Sequence, residues 1–252
     1  MAAAYAERKE AGIAKHKAWS KLFEAYAKAF PELAAEFERR EAGRLPDNWR
    51  EHLPRWTPAD KGLATRQSSQ QVLNKICEAI PDMVGGSADL TPSNLTKFRG
   101  ALDFQAATPE GRYIRFGVRE HAMAAICNGI AAWSKGLIPF CATFLNFTGY
   151  ALGAMRVSAL SEHGVIYVAT HDSIGLGEDG PTHQPVEALL NFRAMPNMLT
   201  IRPADANEVA RARMNPPAHP RIRIVVAGGA AWYSCPPAPH TTPGVGRVHG
   251  GH

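Results

Sequence analysis

The alternation of apolar and polar positions divides the 252-residue chain into three parts. In residues 1 to about 43, large apolar side chains recur every three or four positions, which predicts a helix with one apolar face. Pro31 starts a second, short helix, and Gly43 ends it. Prolines and tryptophans follow in Arg44–Lys61 and predict an ordered linker held against a neighbouring surface. Residues 1–61 are therefore predicted to be a helical segment with a linker.

Residues 62–212 alternate strand and helix signals and are predicted to form one domain. This βαβα order predicts an α/β fold with a parallel sheet and helices on both faces. Asp205 marks the start of one further helix. The predicted strands are 112–118, 137–143, 165–170 and 198–202, and the predicted helices are 119–134, 146–160 and 186–193.

The last part, residues 213–252, places prolines and glycines among arginines and histidines. A composition of this kind rarely packs into a core, so we predict an irregular, disordered tail. Only Ile222–Ala227 resembles a strand.

Net charge and cysteine spacing narrow the possible functions. The net charge of +5 comes from five arginines after Val209, where there is no acid, and the first 208 residues hold 23 bases and 23 acids. The body of the chain therefore gives no indication of nucleic-acid binding. No apolar run is long enough to cross a membrane. Four widely spaced cysteines favour reduced thiols in the cytoplasm over a disulfide or zinc framework.

The loop Gly175–Pro185 reads GLGEDGPTHQP and follows a predicted strand. His171 and His183 bracket it, and Glu178 and Asp179 lie inside it. Open α/β sheets bind ligands in loops at the carboxyl ends of their strands. A polar surface loop without chemistry is the alternative. A metal hydrolase would also use histidines and acids, but no HExxH or similar helical ligand pair supports that interpretation.

Three other segments have residues suited to chemistry, each with a plain alternative. GGSADLTPSN, residues 85–94, predicts a turn whose N–H and hydroxyl groups suit a phosphate or sugar, although ordinary turns use the same residues. Glu120, in RFGVREHA, either has a catalytic role or complements the dipole of a first helical turn. The aromatics Phe144, Phe147 and Tyr150 suit either a core or a stacking wall.

In combination, these segments resemble a known family. GGSADLTPSNLT, GRYIRFGVREHAM, TFLNFTGY, VATHDSIGLGEDGPTHQP and IRPADANEV follow one another with βα spacing. They resemble the pyrimidine-binding domain of transketolase, in its yeast- and plant-like branch, over about residues 12–210. The linker from Pro46 to Arg66 resembles the region that leads into that domain. The resemblance implies a thiamine-diphosphate-binding fold and transfer of a two-carbon ketol unit between sugar phosphates. Dihydroxyacetone synthase is a relative with the same cofactor.

The resemblance also implies cofactor contacts. Glu120 matches the acid that hydrogen-bonds the pyrimidine ring nitrogen, where a carboxyl group is needed to move a proton. Phe144, Phe147 and Tyr150 match the aromatics that hold the ring in an apolar slot. Asp89 matches an acid near the cofactor.

Substrate contacts follow from the same resemblance. Arg66, Ser93 and His171 match residues that bind the sugar phosphate. Asp179 matches the carboxylate that distinguishes the donor's hydroxyl configuration. His183 matches a histidine at the reacting carbonyl end, able to hydrogen-bond a developing alkoxide. The implied catalytic residues are Glu120, His171 and His183.

The chain also departs from the family pattern. It contains no GDG sequence, so the family's first domain, which holds magnesium and the diphosphate through a GDG…N motif, is expected to be absent. From Ala212 onward the sequence no longer resembles the family, and both ends read as truncations. Another subunit is therefore expected to supply the diphosphate-binding domain in a homo-oligomeric family, and the isolated chain is expected to be inactive. A non-catalytic fragment or interaction module is the alternative.

Overall fold

The computed structural model describes residues 2–214 and 222–227, with the side chains of residues 4–212. Helices and strands alternate through most of this part of the chain. In chain order they are α1 (Ala2–Ala29), α2 (Pro31–Glu41), α3 (Thr65–Ala79), β1 (Met83–Ser87), α4 (Thr91–Asn94), β2 (Tyr113–Arg115), α5 (Glu120–Trp133), β3 (Ile138–Phe144), α6 (Thr148–Ser161), β4 (Ile166–Thr170), α7 (Ala188–Arg193), β5 (Met198–Ile201), α8 (Ala206–Met214) and β6 (Ile222–Ala227). Two short 3₁₀ turns lie at Trp49–His52 and Pro181–His183.

The six strands form one parallel sheet in the order β2-β1-β3-β4-β6-β5. Because successive strand residues point to opposite faces, Phe140 and Cys141 of β3 enter different cores. The core around Cys141 is covered by α5, α6 and α7, and the core around Phe140 by α3, α8 and the linker. The predicted α/β fold, a parallel sheet with helices on both faces, is confirmed.

Two glycines allow β1 to lie between its neighbours. A Cβ atom on Gly85 would lie 1.8 Å from the Phe140 carbonyl oxygen, and one on Gly86 would lie 1.7 Å from the Ile114 carbonyl oxygen. No side chain fits at either position. The sequence indicated a turn from residue 85, but Gly85–Ser87 complete the strand, and the turn begins after Ser87.

The helical segment forms as predicted, with Pro31 in the first turn of α2. Its aromatic face is largely exposed: Trp19 keeps 51% and Phe30 52% of the maximal side-chain exposure. Within this face, Phe23 stacks on Trp19 at 5.3 Å and contacts Phe37 at 5.4 Å between ring centroids. The apolar face therefore packs mainly on itself in this chain.

Contacts of α2 and of the linker attach the helical segment to the sheet domain. Arg39 of α2 donates two hydrogen bonds, of 2.8 and 3.0 Å, to the buried carboxylate of Asp82 just before β1. In the linker, Trp49 and Trp56 are buried against α3 and α8. The Asn207 side chain accepts from the Trp56 N–H at 3.0 Å and donates to its carbonyl at 2.9 Å. The linker is thus ordered, as predicted.

The end of the domain differs in detail from the prediction. Asp205 caps α8, because its Oδ1 accepts from the Glu208 N–H at 2.8 Å. Strand β6 pairs with both β4 and β5, so the sheet continues past the predicted boundary at residue 212. The predicted disorder of the rest of the tail falls on residues 215–221 and 228–252, outside the described residues.

Two further properties concern the described residues as a set. Their three cysteines, Cys77, Cys127 and Cys141, have buried side chains. None of the helices described combines the length and the apolar character that a membrane crossing requires.

Candidate functional site

The motif residues gather at one edge of the sheet. Strands β1, β3 and β4 are neighbours, and their carboxyl ends meet there because all strands are parallel. In the pairing register, Ser87 of β1 is level with Ala142 of β3, and Phe144 of β3 is level with Thr170 of β4. The predicted site segments begin at or beyond these positions.

Glu120 is the buried acid of this edge. It is the first residue of α5, so its carboxyl group lies in the field of the helix N-terminus. The residue is only 7% exposed. The Thr143 hydroxyl donates to Glu120 Oε1 at 3.1 Å. Because Thr143 directly precedes Phe144, this bond ties the acid to the strand that presents the first aromatic ring.

The three aromatic residues form a row, although they do not share one helix. Phe144 ends β3, Phe147 precedes α6, and Tyr150 lies within α6. Phe144 and Phe147 stack at 5.5 Å, and Phe147 and Tyr150 are 6.2 Å apart between centroids. Phe144 is buried, whereas Tyr150 is 72% exposed. The row therefore runs from the core to the surface. This arrangement fits a stacking wall better than a core cluster, whose members would all be buried.

Both histidines contact this wall from the side of β4. The His171 ring stacks on Phe144 at 3.7 Å, and His183 meets Phe147 edge-on at 4.9 Å between centroids. His183 lies on the 3₁₀ turn, which is held because the Asn146 side-chain amide donates to the Thr182 carbonyl. The loop Gly175–Pro185 thus folds back over the aromatic wall.

His171 has a constrained backbone and a buried ring. Its φ of 56° lies in the left-handed region, which costs free energy for a residue with a side chain. Its Nδ1 is 2.8 Å from the Thr170 hydroxyl, and its Nε2 is 3.5 Å from Arg66 Nη1. Burial, reinforced by the positive charge of Arg66, lowers the pKa of His171 to about 4. The imidazole is therefore neutral at neutral pH.

Arg66 supplies positive charge beside this histidine. It lies in the first turn of α3, and its Nη1 donates to the Ser93 carbonyl at 3.3 Å. Its Nε is buried and has no hydrogen-bond partner among the described residues. Ser93 therefore holds the arginine through its backbone. A guanidinium with unused donor capacity is suited to an anion.

The two remaining predicted acids lie at the periphery. Asp89, between β1 and α4, is exposed and has a φ of 60°. Asp179 is exposed within the loop, where its charge partly offsets the lowering of the His171 pKa. Asp172, next to His171, accepts from Arg202 Nε at 2.7 Å and so fixes the start of the loop.

Several polar residues that support the site were not singled out from the sequence. Their shared role is to hold the predicted site residues by hydrogen bonds across the sheet edge. Ser87 and Asn94 stand inside the quoted GGSADLTPSN motif, and Thr143 and Thr170 directly precede the site residues Phe144 and His171. Their positions next to predicted site residues were the only signal in the sequence that could have indicated this role. The set comprises Ser87, Asn94, Thr143, Asn146 and Thr170.

Metal ligation is not built into the part of the chain that the structure describes. No group of three or more histidine, cysteine or acidic side chains there is placed to hold a metal ion.

The comparison with known families decides the lineage. Residues 61–215, more than half of the chain, match the family model of the transketolase pyrimidine binding domain. The chain belongs to the transketolase family. Residues 1–46 match the model of the transketolase thiamine diphosphate binding domain. The expectation that this domain is wholly absent is therefore wrong for its portion in α1 and α2, although no GDG motif occurs in the sequence.

Individual transketolases cover most of the chain. Transketolase-1, chloroplastic, of Arabidopsis thaliana is 61% identical over 194 residues, which is 77% of this chain and 26% of that protein. Transketolase of Pichia stipitis in complex with sedoheptulose 7-phosphate superposes with a TM-score of 0.82 at 53% identity, covering 85% of this chain and 32% of that one. A split-gene transketolase, described as an inactive β4 tetramer, superposes with a TM-score of 0.54 at 29% identity. The match covers 67% of this chain and 52% of that one. This chain spans about a third of the length of the curated relatives it matches.

Proposed function

We propose that this chain forms the pyrimidine-side half of a thiamine diphosphate-dependent transketolase site. The reaction is transfer of a two-carbon ketol unit from a ketose phosphate to an aldose phosphate. The main observation in support of this function is the buried Glu120 carboxyl group. It accepts a hydrogen bond from Thr143 and lies beside an aromatic wall and two histidines. Membership of the transketolase family supports the assignment.

The residues present fit the aminopyrimidine of the cofactor. A buried carboxyl group can exchange a proton with a ring nitrogen, and Phe144, Phe147 and Tyr150 offer ring surfaces that exclude water. When bound, thiamine diphosphate supplies the carbon nucleophile of the reaction. Glu120 would hold the proton at the pyrimidine nitrogen, and Asp89 would stand near the cofactor from the turn after β1.

The residues of the loop and of α3 fit a phosphorylated sugar. Arg66 and His171 would hold the phosphate, with Ser93 at the same end. His183, edge-on to the aromatic wall, would donate to the oxygen of the reacting carbonyl, and the exposed Asp179 would read the configuration of a donor hydroxyl. Charge at the phosphate end and a donor at the carbonyl end would orient the substrate along the wall.

The second half of the site has to come from another polypeptide segment. The described residues hold no metal cluster and the sequence no GDG motif, so Mg²⁺ and the diphosphate would be bound by a separate diphosphate-binding domain. The split-gene transketolase to which this chain is similar is inactive as a tetramer of one chain type. We infer that a second subunit completes the site and that the 252 residues alone do not turn over substrate.

A non-catalytic role is the second candidate. It would be a fragment or interaction module that keeps the fold without turnover. Dihydroxyacetone synthase activity is a further variant within the enzymes. We propose a cytoplasmic location for this chain, although one of its relatives is a chloroplastic transketolase.

The proposed function is tested by complementation. The chain is mixed with a separately expressed diphosphate-domain segment of the Arabidopsis relative, and turnover of xylulose 5-phosphate with ribose 5-phosphate is measured. We expect activity in the mixture only. Glu120→Gln should reduce it by a factor on the order of 10² or more, because the amide cannot exchange the proton. Equal activity of the Glu120→Gln and wild-type mixtures would reject the role of Glu120, and an inactive, tightly associated mixture would favour the interaction module.

A further inference from the structure

A chain of buried hydrogen bonds ends on the imidazole of His171. The Ser87 hydroxyl is 3.2 Å from the Ala142 carbonyl oxygen, and Asn94 Nδ2 is 2.9 Å from Ser87 Oγ. Asn94 Oδ1 is 2.6 Å from Thr170 Oγ1, which in turn is 2.8 Å from His171 Nδ1. The side chains of Ser87, Asn94 and Thr170 are fully buried, so water does not compete for these bonds.

Arg66 fixes the direction of this chain, because a guanidinium can only donate. It faces His171 Nε2 at 3.5 Å, so Nε2 presents its lone pair and the imidazole proton lies on Nδ1. Thr170 Oγ1 then accepts from Nδ1 and donates to Asn94 Oδ1, and Asn94 Nδ2 donates to Ser87. The opposite direction would place an N–H of His171 against the N–H groups of Arg66.

The end of the chain at Ser87 agrees with this direction. Ser87 Oγ accepts from Asn94 Nδ2 at 2.9 Å and from the Leu90 N–H at 3.3 Å, and its single proton goes to the Ala142 carbonyl. Every donor and acceptor of Ser87 is therefore used in one arrangement only.

We propose that Ser87, Asn94 and Thr170 are positioning residues that hold neutral His171 with its proton on Nδ1, so that a phosphate dianion engages Nε2 only with uptake of one proton. The identity of the anion as a sugar phosphate rests on the proposed function. The tautomer does not depend on it.

The uptake follows from the donor and acceptor balance at Nε2. A phosphate dianion has only acceptors, and the lone pair of Nε2 is an acceptor as well. One added proton, on the imidazole or on the phosphate, is needed for a hydrogen bond between them. The charged or titratable groups facing His171 are Arg66, Asp179, His183 and Asp172. Arg66 and burial keep the free imidazole neutral, and a bound dianion would reverse that balance.

The tautomer is measured first, on the full ligand-free chain, by long-range ¹H–¹⁵N correlation of the histidine rings at pH 8. We expect Nδ1 of His171 in the protonated and Nε2 in the unprotonated shift range. Thr170→Val removes the acceptor for Nδ1 and should give a mixture of tautomers, and Thr170→Ser should restore the wild-type spectrum. A proton on Nε2 in the wild-type chain would overturn the tautomer, and an unchanged spectrum in Thr170→Val would overturn the positioning role of Thr170.

The proton linkage is measured by calorimetric titration of the complemented protein with ribose 5-phosphate in buffers of different ionisation enthalpy. At pH 8 the monoester is already a dianion, since its second pKa is about 6. We expect an uptake approaching one proton, less in Thr170→Val because Nε2 can then be protonated by tautomerisation, and none in His171→Gln. Binding without uptake in the wild type would overturn the linkage. Absence of all binding would reject the proposed function instead, and the ligand-free spectra would still decide the tautomer.

Discussion

At the scale of single residues, His171 shows how burial and strain are combined at the site. It has a left-handed φ of 56°, stacks on Phe144, and is only 6% exposed. Non-glycine residues with this backbone conformation persist where the surroundings hold them. The Thr170 and Arg66 contacts are such surroundings, so the histidine is preset before any ligand arrives.

The pKa of His171 predicts a pH dependence of stability. Its folded value of about 4 lies below its ordinary value of 6.5, so the unfolded chain binds more protons between these values. The free energy of unfolding should therefore have its full value above pH 6.5. It should decrease by on the order of 2 kcal/mol as the pH falls toward 4.

The check is urea denaturation of the wild type and of His171→Asn across this pH range. Asparagine tolerates the left-handed backbone, so it removes the titrating group with little added strain. We expect the variant to lose less stability than the wild type on acidification. His16→Gln, on the exposed surface of α1, is the matched histidine substitution. Parallel pH profiles for wild type and His171→Asn would contradict the burial argument.

The candidate site residues could be singled out from the sequence only where they lie in a motif. Glu120, His171 and His183 stood out because acids and histidines at strand ends are chemically conspicuous. Thr170 and Asn94 did not, because their contact joins positions 76 residues apart and depends on the register of β4 against β3. Hydroxyls and amides of this kind occur throughout any chain, so their role becomes visible only in three dimensions.

At the scale of elements, the close approach of β1 to its neighbours sets the shape of the site edge. Gly85 and Gly86 let β1 lie between β2 and β3, which brings Ser87 level with Ala142. The sequence indicated a turn here, since Gly-Gly-Ser is typical of turns. The glycines are instead required by contact with neighbouring carbonyl groups, which no local pattern reveals.

Gly86→Ala should destabilise the domain strongly. Its Cβ would lie 1.7 Å from the Ile114 carbonyl oxygen, and backbone cannot move aside as a side-chain tip can. We expect a loss of unfolding free energy of about 3 kcal/mol or more, measured by urea denaturation. Gly129→Ala, in α5 with open space around it, is the control and should stabilise by up to about 1 kcal/mol. A Gly86→Ala variant as stable as the wild type would show that β1 and β2 can separate freely.

The alternation of helices and strands, in contrast, could be predicted for most of the domain. The strands around β3 and β4 are continuous apolar runs bounded by glycine and polar loops, as buried parallel strands are. The predicted strand 112–118 was too long, since β2 spans Tyr113–Arg115. The helix α3 and the strand β1 were not predicted, because polar residues and glycines dilute their apolar patterns.

At the scale of the whole molecule, a large apolar surface remains open. Helices α5 and α6 expose Trp133 at 86% and Leu160 at 72%, and α1 and α2 expose an aromatic face. Exposed apolar surface of this extent is typical of a protein that associates. The fold therefore supports the proposal that the site is completed by another subunit.

Association should be visible in the isolated chain. We expect the purified protein to elute as an oligomer or to aggregate with rising concentration. The exposed faces of α5 and α6 in one copy would then be buried against those of another copy. The double variant Trp133→Glu, Leu160→Glu should shift it toward the monomer in light scattering. Lys9→Gln with Lys17→Gln, on exposed positions of α1, lowers the net charge by the same amount and is the control. A wild-type chain that stays monomeric at all concentrations would contradict this use of the surface.

The most direct test of the central claim is a calorimetric titration of the purified chain with thiamine diphosphate and Mg²⁺, alone and after addition of the diphosphate-domain segment. We expect no measurable binding to the chain alone and micromolar binding to the pair, abolished or strongly weakened by Glu120→Gln. Micromolar binding with turnover by the chain alone would show that it builds a whole site, and absence of binding to the pair would show a folded domain without cofactor function.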